Sequence, residues 1–190
     1  MRVIAGSAGG TRLYGARGYR IRPIIDRVKE SLFDLLGDSV EGARVLDLFA
    51  GVGSLGIEAL SRGASEAHFI EQHRATADSI RDNLERARLT AHARVHAVKL
   101  PAGLSRASGR YGLIFVDPPF RIDTRLLDEL FRRVVKRGLL EPGGILVYRR
   151  SPHSGYELPV DGLSLEERRG YGDSIISMYR PGAGPGAEAT

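Results

Sequence analysis

The 190-residue chain contains no cysteine, which excludes disulfides and thiolate metal sites. Its five histidines, His68, His73, His92, His96 and His153, show no metal-ligand spacing, so no metal is expected. No apolar run approaches the roughly 20 residues that span a bilayer, and the opening MRVIAGSAGG lacks the apolar segment of a signal peptide. A soluble, cytoplasmic, monomeric protein with no membrane attachment is the expectation. Acidic charge is scarce in one place only. Residues 1–30 hold seven basic residues against two acidic ones, whereas residues 31–190 balance at 21 each, so the net charge of +5 is entirely N-terminal. Clustered Lys and Arg displace counterions from phosphates, so the asymmetry fits a polyanionic partner; a solvated basic arm would look the same.

With 42% hydrophobic residues the chain can build one well-buried core. RVIAGSAGGTRL reads as two short apolar strands around a glycine-rich turn, a small hairpin or extended arm. Ile25, Val28, Leu32, Leu35 and Leu36 then recur at helical spacing, with Gly37 as the stop. Short β-rich runs alternating with helical stretches follow: ARVLDLF, EAHFIE, ARVHAV, YGLIFVD and GGILVYR, with helices near 54–62, 74–88 and 124–136. This alternation predicts an α/β fold, a doubly wound Rossmann-like sheet that is mostly parallel and covered on both faces. LSLEER and SIISMYR, with no long helix between them, complete seven strands as a C-terminal antiparallel hairpin. The expected organisation is a basic hairpin or arm over 1–22, the sheet domain over 23–180 and a disordered glycine- and proline-rich tail over 181–190.

Two segments carry chemistry. Asp47-Leu-Phe-Ala-Gly51-Val-Gly53-Ser-Leu-Gly56 lies where the first parallel strand turns into its helix, and glycines there let the backbone approach a ligand. Glu71, ending the second strand, is placed to accept hydrogen bonds from ribose hydroxyls. Gly51, Gly53 and Gly56 also spell a dinucleotide fingerprint, which leaves a nicotinamide dehydrogenase as an alternative. Asp47 favours S-adenosylmethionine instead, because a carboxylate at the strand end can meet the cationic methionine end and would repel a pyrophosphate.

The second segment is Asp117-Pro118-Pro119-Phe120, after the fourth parallel strand. An exocyclic amine on a base is a poor nucleophile because its lone pair is delocalised into the ring. Two acceptors, the Asp117 carboxylate and the Pro118 carbonyl, can hold its N–H groups so that the lone pair faces a methyl donor. Phe120 offers a ring face, and base-on-aromatic stacking is worth about 1–3 kcal/mol to a flipped base.

Over nearly the whole chain, to about Tyr179, the sequence resembles the bacterial small-subunit ribosomal RNA guanine-N2 methyltransferases. The similar blocks are RVIAGSAGGTRL, IRPIIDRVKESLFDLL, VLDLFAGVGSLGIEALSRGA and YGLIFVDPPF, with Tyr171-Gly172-Asp173-Ser174 near the end. The resemblance implies methyl transfer from S-adenosylmethionine to guanine N2 in 16S ribosomal RNA or an assembling small subunit. It puts Asp47, Gly51, Gly53 and Glu71 at cofactor positions, and Asp117, Pro118 and Phe120 around the target base. Arg22, Asp26 and Arg27 match the block before the first helix, which lies near the active site in that family; Arg12, Arg17, Arg20, Arg22 and Arg27 are the RNA-binding candidates. Ile24 and Ile25 stand where the family has Thr and a small hydroxyl residue. No acid occurs between Glu85 and Asp117 to meet the adenine amine, and Lys99 stands near that place. Apolar side chains and backbone groups are the expected substitute. A DNA adenine-N6 methyltransferase and a non-catalytic RNA-binding protein are the alternatives. Asn83 reads as an exposed helical residue and His153 as a surface residue, while Arg149 and Arg150 read equally as phosphate contacts or a solvated strand end.

Overall fold

The computed structural model describes residues 1–16, 24–158 and 161–182. Arg17, Arg20, Arg22, the expected boundary at 22/23 and nearly all of the C-terminal tail lie outside these residues. Seven strands form one sheet in the order β3-β2-β1-β4-β5-β7-β6. β1 (Arg44–Leu48), β2 (Glu66–Glu71), β3 (Ala93–Ala97), β4 (Tyr111–Val116) and β5 (Leu140–Arg150) run parallel. β6 (Leu163–Tyr171) and β7 (Ser174–Pro181) form the antiparallel end of the sheet, with β7 inserted between β5 and β6. The helices are α1 (Asp26–Leu36), α2 (Ser54–Ser61), α3 (Arg74–Ala87) and α4 (Thr124–Lys136). Among the described residues no helix is long and apolar enough to cross a membrane.

Because successive strand residues face opposite sides of the sheet, the parallel strands feed two separate cores. Val45, Ala67, Phe69, Leu113, Phe115, Ile145 and Val147 pack on one face beneath α1, α2 and α3. Leu46, Leu48, Ile70, Ile114, Val116, Leu146 and Tyr148 pack on the other with α4. The buried face of α1 is rotated from the sequence expectation: it presents Val28, Lys29, Leu32, Phe33 and Leu36, and Ile25 is exposed.

The N-terminal residues form a hairpin in which Val3 N donates to Thr11 O at 2.9 Å and Leu13 N to Met1 O at 3.0 Å. It is not an independent arm, since Val3, Ala8 and Leu13 are buried in the α1 to α3 core. Gly6 crosses directly over the end of α2, and a Cβ there would meet the Ser61 carbonyl oxygen at 1.8 Å. Ser7 N donates to that same carbonyl at 2.7 Å, which satisfies a group the helix end leaves open.

A buried ion pair ties the hairpin to the helices. Lys29 Nζ lies 3.0 Å from Glu58 Oε2, and both side chains are fully shielded from solvent. Lys29 also donates to Arg2 O at 2.6 Å, while Glu58 accepts from Ile4 N at 2.7 Å and Ala5 N at 3.0 Å. Burial pushes the Lys29 ammonium below its usual range, and the Glu58 charge opposes that shift. Glu58→Ala strands the Lys29 charge and two backbone donors, so it should lower stability by about 3–5 kcal/mol in urea unfolding. Lys29→Met should cost less, because Glu58 keeps its backbone donors and Arg62 at 2.9 Å.

Candidate active site

The pleat decides which side chains meet. Asp47, Glu71, Asp117 and Arg149 continue the alternation of Val45, Phe69, Phe115 and Val147, so all four point to the α1 to α3 face at the carboxyl ends of adjacent strands. There they border or back a cavity of about 470 Å³, within the range of small-molecule sites. One wall is the β1 to α2 loop from Phe49 to Ser54; Met1 and Ile24 close another.

The loop is held from behind. Gly51 and Gly53 adopt φ of 56° and 79°, conformations that L side chains rarely adopt. Gly51 N donates to Glu71 Oε2 at 3.0 Å and His73 N to Glu71 Oε1 at 2.8 Å, so Glu71 both shapes the loop and lines the cavity. Gly56 N donates to Asp47 Oδ2 at 2.9 Å. Asp47, expected to meet the ligand, is buried behind the loop, outside the residues that line the cavity. Burial first, and then the charges of Asp117 and Glu71, push its carboxyl well above the usual carboxylate range against the Gly56 hydrogen bond. Gly53 likewise sits outside the lining, as the left-handed residue that starts α2.

Asp117, Pro118 and Phe120 border the cavity as a group. The partner of Asp117 was not legible in the motif. Val116 pairs with Tyr148 in the β4/β5 register, so the next residues along, Asp117 and Arg149, emerge side by side. Arg149 Nε donates to Asp117 Oδ1 at 2.7 Å and Nη2 to Oδ2 at 3.0 Å, and its Cζ lies 5.3 Å from the Phe120 ring centroid. Burial raises the Asp117 carboxyl above its usual range, and Arg149 opposes the shift. The reading of Arg149 and Arg150 as a solvated strand end is thus corrected: both are buried, and Arg150 donates to Glu157 at 2.8 Å.

Asn83 is a second correction. It is wholly buried; its Oδ1 accepts from Tyr14 N at 2.9 Å, and its Nδ2 donates to Tyr14 O at 2.9 Å and Val52 O at 3.1 Å. Thr76, which nothing in the sequence singles out, lines the cavity from the first turn of α3 with a buried hydroxyl that makes no hydrogen bond. Where an acid was missing for adenine, the wall consists of Ile70, Val98 and Leu100, and Lys99 is exposed outside it. Ile24 is buried in the cavity wall. Arg12 and Arg27 are exposed.

A family model described as Conserved hypothetical protein 95 matches residues 1–180. The chain is 35% identical over 184 residues to YlbH of Bacillus subtilis, covering 95% of this chain and 98% of that one. It is 32% identical over 180 residues to Ribosomal RNA small subunit methyltransferase D of Escherichia coli, covering 95% and 89%. The chain belongs to the small-subunit methyltransferase D family. The solved structure of yhhF from Escherichia coli superposes with a TM-score of 0.82 at 32% identity, covering 95% of this chain and 97% of that one. The sheet is thus a Rossmann-like methyltransferase sheet, and the paired loops after β1 and β4 sit where such open sheets bind ligands.

In this methyltransferase fold the glycine loop tolerates little added volume. A Cβ on Gly56 would lie 2.3 Å from Phe69 Cε1 and 3.2 Å from Asp47 Oδ2. Gly56→Ala should therefore cost about 1–3 kcal/mol by overpacking and displace the loop, read as a lower melting temperature and weaker donor binding in calorimetry.

Proposed function

We propose that this chain transfers the methyl group of S-adenosylmethionine to the exocyclic N2 amine of a guanine in small-subunit ribosomal RNA. The observation that carries the reading is the meeting of Glu71, Asp117 and the Phe120 ring around one cavity, with Asp47 buried behind its glycine loop. Carboxyl groups at the site suit a donor with cationic sulfonium and ammonium groups and oppose a pyrophosphate. The ribosomal RNA assignment is supported by the printed name of the Escherichia coli relative.

The lining fits the donor. Glu71 would accept from ribose hydroxyls, the Gly51 loop would hold the methionine end, and the apolar wall of Ile70, Val98 and Leu100 would pack on adenine. Thr76 brings a buried hydroxyl with no protein partner, a group that a polar ligand would satisfy. When bound, the sulfonium supplies an electrophilic methyl group. Asp117 and the Pro118 carbonyl take the amine's N–H groups and aim its lone pair, and Phe120 stacks on the base. The buried Asp117 carboxylate, shifted upward, is suited to take up the released proton. Arg12, Arg17, Arg20, Arg22 and Arg27 would meet RNA phosphates.

Labelled methyl transfer to unmodified ribosomal RNA, followed by digestion to nucleosides, tests the reading; the expected product is N2-methylguanosine. Asp117→Ala should lower turnover at least 100-fold with donor affinity largely kept, since the lost interaction acts on the amine in the transition state. Unchanged turnover would rule that role out. Thr76→Val should leave thermal stability intact and weaken donor binding about 3- to 10-fold, the worth of one neutral hydrogen bond.

A further inference from the structure

The arrangement of Arg149 conflicts with a carboxylate waiting free for a base. Both Asp117 oxygens accept from one guanidinium, at 2.7 Å and 3.0 Å, and that guanidinium lies over the Phe120 ring with its Cζ 5.3 Å from the centroid. These are the two contacts assigned above to the target base: parallel N–H donors to the carboxylate, and a flat π-system against the phenyl ring. The likeness is chemical as well as spatial. Carbon 2 of guanine, with N1, N2 and N3, is itself a guanidine unit, and its N1–H and N2–H project side by side as the Arg fork does. Adenine presents an N–H beside a ring-nitrogen lone pair, which would face a carboxylate oxygen.

We propose that Arg149 is an internal placeholder for the target guanine, so that the base must displace it from Asp117 by supplying two parallel N–H donors. The exchange makes the carboxylate selective for guanine over adenine, because only guanine restores both hydrogen bonds that Arg149 gives up. It leaves the second N2–H for the Pro118 carbonyl. The displaced side chain has somewhere to go. Arg149, Pro118, Pro119 and Phe120 line both the main cavity and a smaller one of about 90 Å³, which Ser151 and Ser154 also line. Arg149 is thus a specificity-determining residue. The inference rests on guanine being the substrate base.

Binding of GMP and AMP to the full chain loaded with S-adenosylhomocysteine tests it. If the placeholder holds the site about nine-tenths of the time, Arg149→Ala should bind GMP about tenfold tighter than the unaltered protein, with AMP unchanged. Millimolar guanidinium ion should compete with GMP in Arg149→Ala and not in the unaltered protein. Arg149→Lys, which keeps the charge but loses the fork, covers the case in which the alanine variant fails to fold, and should show a GMP gain of the same sign. In the unaltered protein the Arg149 Nε–H resonance, assigned by its loss in Arg149→Lys, should shift with GMP and not with AMP. Equal gains for both nucleotides, no GMP gain in a folded variant, or weaker GMP binding with donor affinity intact would each overturn the placeholder. The two proposals fail differently: N6-methyladenosine as the product defeats the guanine reading itself, whereas N2-methylguanosine without a GMP gain defeats only the role of Arg149.

Discussion

The buried Lys29–Glu58 pair is the interaction on which the site's enclosure depends. Neither charge reaches solvent, so each is tolerable only while the other, and the backbone groups around them, stay in place. Those groups come from three parts of the chain: Arg2, Ile4 and Ala5 of the hairpin, Lys29 of α1, and Glu58 with Ser54 of α2. Ser54 is the residue at which the glycine loop becomes helix, and Met1 begins the hairpin; both line the main cavity. One ion pair therefore fixes two walls of the site relative to each other, although it touches nothing inside it.

Electrostatics inside the site follow from the same pleat that assembles it. Placing Asp47, Glu71 and Asp117 on one face crowds carboxyl groups where solvent is excluded, and burial, then the neighbouring charges, pushes the Asp47 carboxyl well above its usual range. Arg149 offsets part of that field at Asp117. A cation in the cavity would relieve the remainder, which links the charge arrangement to the donor class without any direct contact from Asp47. Asp47 anchors Gly56 N from behind the loop.

The strand pattern, the glycine loop and the DPPF segment were legible because each is local: periodicity and a few neighbouring residues define them. Arg149 was not, because its partner is set by the β4/β5 register, a property of two segments 32 residues apart. Lys29 carried a weak signal, standing four residues after Ile25 and three before Leu32 within an apolar stripe; the stripe itself was misplaced because Lys29 and Phe33 are buried while Ile25 is exposed. Thr76 carried none, since its significance is a missing partner. Asn83 was misread for a related reason. A single polar residue on an amphipathic helix usually faces water, and only the fold shows that a loop backbone comes to meet it.

That last contact ties the N-terminal hairpin to the glycine loop. Asn83 grips both backbone groups of Tyr14 and the carbonyl of Val52, so residue 14 is fixed to the glycine loop. Ten residues later Ile24 is buried in the cavity wall. Tyr14 and Ile24, described residues on either side of the basic stretch, are thus held by the glycine-loop side of the site and by its wall. Asn83 thereby joins the hairpin to the same loop that lines the cavity.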